Sequence, residues 1–131
     1  MEGIRRTNSK KFCIDTDVAI ETIKGNPAVL ELFKNHEKIP AISVITIFEL
    51  LRRRYDFGPV ETFILQCEVL VFDEITARKA SLLEKELVRK GKPILFRDLF
   101  IAATAIVNNC ELATLNRKDF ENIEGLSLVE F

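Results

Sequence analysis

The chain has 131 residues, enough for one ordinary domain, since single hydrophobic cores organise about 100 to 200 residues. Its 47% hydrophobic and 30% charged residues, with only five Gly and four Pro, exclude disordered and low-complexity readings. Nineteen basic against twenty acidic residues give a net charge of −1, so no global positive field draws in a polyanion and any nucleic-acid contact must be local.

The first element is the apolar run Lys11-Phe12-Cys13-Ile14-Asp15, a strand ending on a carboxylate, after which Thr16-Asp17 offer caps for a helix over 18–24. Gly25-Asn26-Pro27 breaks that helix, Ala28, Val29, Leu30, Leu32 and Phe33 support a second, and 39–43 reads as strand two. Ile45, Phe48, Leu51 and Tyr55 recur at spacings of three and four, which predicts a helix over 44–55 with Glu49 in its first turns. Gly58-Pro59 opens the next helix, through Ile64 and Leu65, and 68–72 is strand three. Asp73 or Thr76 caps a long helix to Lys90, which Gly91-Lys92-Pro93 stops. Asp98 then opens an apolar helix to Val107, and 111–115 and 126–131 are strands four and five. Short strands separated by helices predict an α/β fold with a largely parallel sheet in a single domain spanning 1–131.

Several chemistries drop out. The basic start, with Arg5, Arg6, Lys10 and Lys11, lacks a signal-peptide core, and no run reaches the roughly 18 apolar residues of a membrane span, so a cytoplasmic protein is expected. Cys13, Cys67 and Cys110 are widely spaced and read as core residues. His36 is the sole histidine, which excludes histidine triads and histidine-rich metal sites. Carboxylates must carry any chemistry.

Ligands of parallel α/β sheets bind beyond the carboxyl ends of the strands. Asp15 and Asp17 fall there after strand one, Glu49 after strand two, and Asn116 and Asp119 after strand four; Asp98 joins them if its helix points its start at the same rim. Two carboxylates about 4 to 5 Å apart repel by roughly 3 to 4 kcal/mol at an effective dielectric near 20, so a positive group should sit among them. A hard divalent cation, Mg²⁺ or Mn²⁺, suits oxygen donors. Each acid also has a structural reading: Asp17 and Asp119 as caps, Glu49 as a solvated helix residue, Asp98 as a helix-start charge. Asp15, at the end of an apolar strand, is costly to bury without a partner.

Four segments, Ile14-Asp15-Thr16-Asp17-Val18, Ile42 to Leu50, Asp98 to Ala105 and Ala113 to Phe120, resemble in order and spacing the successive motifs of PIN-domain nucleases, particularly the VapC-type toxins of prokaryotic toxin–antitoxin pairs. The resemblance implies a three-layer α/β/α fold with a five-stranded parallel sheet, Mg²⁺ or Mn²⁺ dependence and endonucleolytic cleavage of RNA. Carried over by motif, Asp15, Glu49 and Asp98 are the acids. Asp119 is the fourth, with Asn116 as a neutral oxygen donor or positioning residue, because many members have aspartate at the place of Asn116 while others have asparagine there and an acid three residues on, the pattern found here. Asp17, Thr16, Ser43, Thr46 and Thr114 are supporting residues that orient carboxylates, although capping explains them as well. Arg52, Arg53 and Arg54, with Arg97, Arg117 and Lys118, form a basic rim for RNA phosphates, or alternatively a solvated helix end.

A toxin of this kind is expected to meet a small antitoxin and to pair as a homodimer, with Phe57, Phe63, Ile64 and Leu65 as a face for a partner or as core. Two other readings stand beside it. A housekeeping RNA-processing nuclease would share the same acids. A noncatalytic, Mg²⁺-binding receiver-like module would need a phosphoacceptor, which Asp73 could mimic, and a lysine after its last strand.

Overall fold

In a computed structural model, the structure describes residues 11–34, 39–53 and 57–130. His36, Arg54, Tyr55, Phe131 and the basic start before Lys11 lie outside them. Four parallel strands, β1 (Phe12–Ile14), β2 (Ala41–Ser43), β3 (Glu68–Leu70) and β4 (Glu111–Ala113), form a sheet in the order β3-β2-β1-β4. β1 and β2 are central and wholly buried, which is why they read as unbroken apolar runs instead of alternating ones.

Side chains alternate across this sheet with a period of two, and the two cores divide accordingly. Cys13, Ala41 and Leu112 face one side, where α5 (Glu74–Arg89) and α6 (Phe96–Val107) pack through Leu83, Leu87, Leu99, Ile101 and Ala105. Phe12, Ile14, Ile42 and Ala113 face the other, against α1 (Thr16–Lys24), α2 (Pro27–Lys34), α3 (Val44–Arg52) and α4 (Phe57–Leu65). The result is three layers, helices on both faces of the sheet. Gly25 ends α1 with a left-handed φ of 81°, and its N–H closes onto the carbonyls of Glu21 and Thr22.

The expectation of a fifth strand over 126–131 is overturned: the described residues form a sheet of four strands. The last segment makes one isolated parallel bridge, Leu128 with Leu112, through Leu112 N–H to Ser127 O and Val129 N–H to Leu112 O, both at 2.8 Å. β4 has only three residues, and its outer two are turned toward β1, with Glu111 N–H donating to Lys11 O and Ala113 O accepting from Asp15 N–H. Only Leu112 directs its backbone groups outward, so a single bridge is all this edge can accept. The carbonyl of Val129 is taken by Arg117 Nη1 at 2.9 Å, not by a neighbouring strand.

Smaller departures lie at the element ends. β3 and β4 stop two residues short of their apolar runs, at Leu70 and Ala113, and β2 begins two residues late, at Ala41. α6 starts at Phe96, which puts Asp98 inside its first turn instead of at its cap. The face suggested around α4 splits: Phe63 is buried in the core while Leu65 is 85% exposed.

Candidate active site

Three strand-to-helix junctions and one helix start build the site. β1 runs into α1 with Asp15 as the N-cap, its Oδ1 accepting from Thr16 N–H at 2.8 Å. The cap is therefore Asp15 itself, one residue before the pair that the sequence suggests. β2 runs into α3 through Ser43, whose hydroxyl accepts from Thr46 N–H at 3.1 Å. Glu49 lies three residues beyond Thr46 on the same helix face. α6 brings Arg97 and Asp98 in its first turn, and Thr114 follows β4.

These junctions bring Asp15, Glu49 and Asp98 together around one group, the Arg97 guanidinium. Its Nη2 reaches Asp15 Oδ1 at 2.9 Å, its Nε reaches Glu49 Oε2 at 2.5 Å, and its Nη1 bonds Asp98 Oδ1. Asp15 and Asp98 are buried and Glu49 is partly exposed in the cleft, so the first two charges have little water to screen them. Burial works to lower the Arg97 pKa, but the Glu49 hydrogen bond and the charges of Asp15, Glu49 and Asp98 raise it above the ordinary arginine value. Burial raises the Asp98 carboxyl above its ordinary value, opposed by Arg97 and reinforced by the charges of Asp15 and Asp119.

The supporting hydroxyls are inside this cluster. Thr114 Oγ1 donates to Asp15 Oδ2 at 2.8 Å and accepts from Asn116 N–H at 3.0 Å. The Thr16 hydroxyl bonds Glu49 Oε1 and lies 3.2 Å from Thr46 Oγ1, which in turn lies 3.4 Å from Ser43 Oγ. Asp17 accepts from Val18 N–H at 2.7 Å, from Leu115 N–H at 3.2 Å and from Asn116 Nδ2 at 2.9 Å. Burial and the nearby Asp15 charge push Asp17 up to about 6, against those amides and Arg97. Asn116 is thus turned toward Asp17, tying the β4 exit to the start of α1.

Asp119 is exposed in a short 3₁₀ turn, Arg117–Asp119, and reaches the cluster only through its charge on Asp98. Of the basic residues, Arg53 and Arg52 line a cleft of about 370 Å³ with Thr16, Asp17, Ile20, Glu49 and Arg97, and Arg52 also sits 5.4 Å from the centre of the Phe48 ring. Arg117 is directed to Val129 and Glu130, and Lys118 is exposed beside it. Cys13 and Cys110 are buried, and burial pushes the Cys67 thiol up to about 11, as core cysteines require.

The place of Arg97 is the feature that sequence reasoning missed. Three acids from separate segments call for a cation, yet the sequence suggests an RNA-facing rim for the arginine beside Asp98. Among the described residues no three of His, Cys, Asp or Glu are arranged as a metal cage, and the Arg97 guanidinium stands between Asp15, Glu49 and Asp98. The donors nevertheless fit a hard divalent ion, being carboxylate oxygens already gathered around one positive charge.

Residues 12–126 match the PIN domain family. The chain belongs to that family. This PIN domain is 32% identical to the tRNA(fMet)-specific endonuclease VapC of Shigella flexneri over 124 residues, 88% of this chain and 94% of that one. Its fold superposes on VapBC of Salmonella typhimurium, solved bound to DNA, with a TM-score of 0.76 and 32% identity over 92% of this chain and 97% of that one. For VapBC2 of Rickettsia felis, solved with a fragment of promoter DNA, the values are 0.78 and 27% over 92% and 98%. The chain is a VapC-type PIN ribonuclease, a hydrolase of the divalent-metal-dependent PIN nucleases. Among the described residues no helix is long and apolar enough to cross a membrane.

Proposed function

We propose that this PIN domain, acting as one unit over 1–131, cleaves RNA endonucleolytically at the Asp15, Glu49 and Asp98 cluster and serves as the toxin of a toxin–antitoxin pair. The observation that carries the reading is the convergence of three carboxylates from three segments on one cation, at the carboxyl edge of a parallel sheet. Asp15, Glu49 and Asp98 would hold Mg²⁺ or Mn²⁺, with Asp119 and Asn116 contributing at the mouth. Such an ion, when bound, supplies Lewis acidity toward a phosphoryl oxygen and acidifies water.

The chain's own residues do the rest. Thr16 N–H and the Thr114 hydroxyl fix both oxygens of Asp15, and the Thr16 hydroxyl, backed by Thr46 and Ser43, fixes Glu49. Arg52 and Arg53 on the cleft wall attract phosphate despite the near-neutral chain, and Arg117 and Lys118 line a second depression with Asn116 and Asp119.

An antitoxin is the expected inhibitor. An apolar groove of about 200 Å³, lined by Ile20, Ile23, Leu50, Pro59 and Val60, shares Ile20 and Arg53 with the cleft, so an apolar antitoxin segment lying there would also cover the acids. A homodimer would cover a separate groove lined by Phe72, Phe96 and Phe100, where Phe96 is 63% exposed. We infer a cytoplasmic site of action, where an RNA substrate would be met.

The test is cleavage of a mixed pool of labelled RNAs with Mn²⁺, Mg²⁺ or EDTA, run beside Asp98→Asn. Products that need metal and vanish in the variant support the reading. Products that persist in EDTA or in the variant overturn it.

A further inference from the structure

The Arg97 guanidinium and a divalent ion need the same place. Arg97 bonds Asp15, Glu49 and Asp98 at once, through all three of its nitrogens. With donor–acceptor distances of 2.5 and 2.9 Å to Glu49 and Asp15, the planar fork holds these oxygens farther from their common centre than the roughly 2.0–2.1 Å at which Mg²⁺ draws its ligands. The two cations cannot both sit at that centre.

The departure of Arg97 is feasible on two counts. Its side chain is 32% exposed and lines the cleft with Arg52 and Arg53, so there is open space into which it can swing. The acids it leaves do not lose all support, because Asp15 keeps Thr16 N–H and the Thr114 hydroxyl, and Glu49 keeps the Thr16 hydroxyl. A cluster that is satisfied with Arg97 in place, and remains partly hydrogen-bonded when it leaves, has two usable states.

We propose that Arg97 is a resident counter-cation that closes the carboxylate cluster in the metal-free protein, and that divalent-ion binding and outward release of Arg97 are one exchange. This inference rests on the metal-site reading above. Its consequence is a positioning role in substrate binding as well: the released guanidinium joins Arg52 and Arg53 in the cleft, so RNA phosphate and the metal ion favour the same open state. The measured metal affinity is then reduced by the fraction of molecules held closed.

Side-chain Nε–H signals in ¹H–¹⁵N NMR report on this exchange in the unmutated protein, with the Arg97 signal assigned by its loss in Arg97→Lys. Titration with Mg²⁺ is expected to shift or broaden that signal in step with metal binding; a signal unchanged at saturating Mg²⁺ overturns the proposal. Calorimetric titration with Mn²⁺ is expected to show about tenfold tighter binding by Arg97→Gln, with a lower melting temperature than wild type in EDTA and recovery on adding Mn²⁺. Affinities within about twofold of wild type overturn it. If Arg97→Gln does not fold, the NMR titration still decides.

Asp15→Asn separates this proposal from its premise. Loss of Mn²⁺ binding in Asp15→Asn, with no effect of Arg97→Gln, overturns the exchange and leaves the metal site standing. Mn²⁺ binding that survives Asp15→Asn unchanged, or no binding by any form, removes the site reading and the exchange with it.

Discussion

Thr114 Oγ1 donates to Asp15 Oδ2 at 2.8 Å across 99 positions of sequence, while Asp15 Oδ1 is held by Thr16 N–H and Arg97. Every oxygen of the fully buried Asp15 thus has a partner, and the exit of β4 is tied to the end of β1 at the point where the two strands diverge. Thr114→Val removes one donor from Asp15 and leaves Asn116 N–H without its acceptor. The expected cost is about 1–3 kcal/mol in urea unfolding, with a roughly 10- to 100-fold fall in single-turnover RNA cleavage. Thr114→Ser should retain most of both; equal rates for wild type and Thr114→Val would remove the hydroxyl from the mechanism.

Asp17 carries a pH signature. Its carboxyl is raised to about 6, so the folded protein holds this proton more tightly than the unfolded chain does. Ionised Asp17 therefore costs stability above pH 6, and that cost is relieved as the pH falls from above 6 toward the ordinary value near 3.8. In Asp17→Asn this dependence is absent, so the melting temperature of the variant minus that of wild type should become more positive as pH rises from 5 to 7.5. Parallel curves would show that neither burial nor the Asp15 charge raises the Asp17 carboxyl.

Divalent metal should raise the melting temperature. At a free concentration about 100 times its dissociation constant, Mn²⁺ contributes roughly 2.7 kcal/mol to the folded state, and EDTA removes it. Asp15→Asn should shrink the rise. Because Arg97 already neutralises part of the repulsion, the metal-free protein is expected to unfold cooperatively instead of losing its site first, which amide hydrogen exchange at Thr16 and Thr46 can follow.

Two N-caps of like design separate stability from chemistry. Ser43 caps α3 beneath the site, and Asp73 caps α5, accepting from Thr76 N–H at 3.0 Å and from its hydroxyl at 2.8 Å. Ser43→Ala should cost about 1 kcal/mol and also slow RNA cleavage, since Thr46 and Thr16 lean on it. Asp73→Ala should destabilise without altering cleavage. The Thr76 backbone and hydroxyl bonds hold the Asp73 carboxyl below its ordinary value, so its stabilisation is present above about pH 4 and is lost as pH falls through its folded-state value. A cleavage defect in Asp73→Ala matching that of Ser43→Ala would show that both act through stability alone.

Much of the site is legible in the residues. Asp15 stands at the end of an apolar strand and Glu49 in the helix that follows the next, positions that parallel α/β topology gathers on one rim, whereas Asp98, in the first turn of α6, joins them only through the packing of that helix. Asp119 shares that rim by its place after strand four, yet the structure leaves it exposed at the mouth, in a 3₁₀ turn followed by the buried Phe120. The fifth strand was not legible: Leu126 to Val129 has a strand's composition, but pairing depends on how many outward-facing backbone groups β4 offers, and three residues offer one.

Sequence alone determined the alternation of short strands with helices, the placing of Asp15 and Glu49 beyond the ends of β1 and β2 and the need for a positive charge among acids gathered there, because these follow from local periodicity and from Coulomb repulsion. Which cation meets that need was decided only in three dimensions. Arg97 adjoins Asp98 in the chain, but it lies 82 positions from Asp15 and 48 from Glu49, and only the packing of α6 against the sheet turns its guanidinium inward to all three.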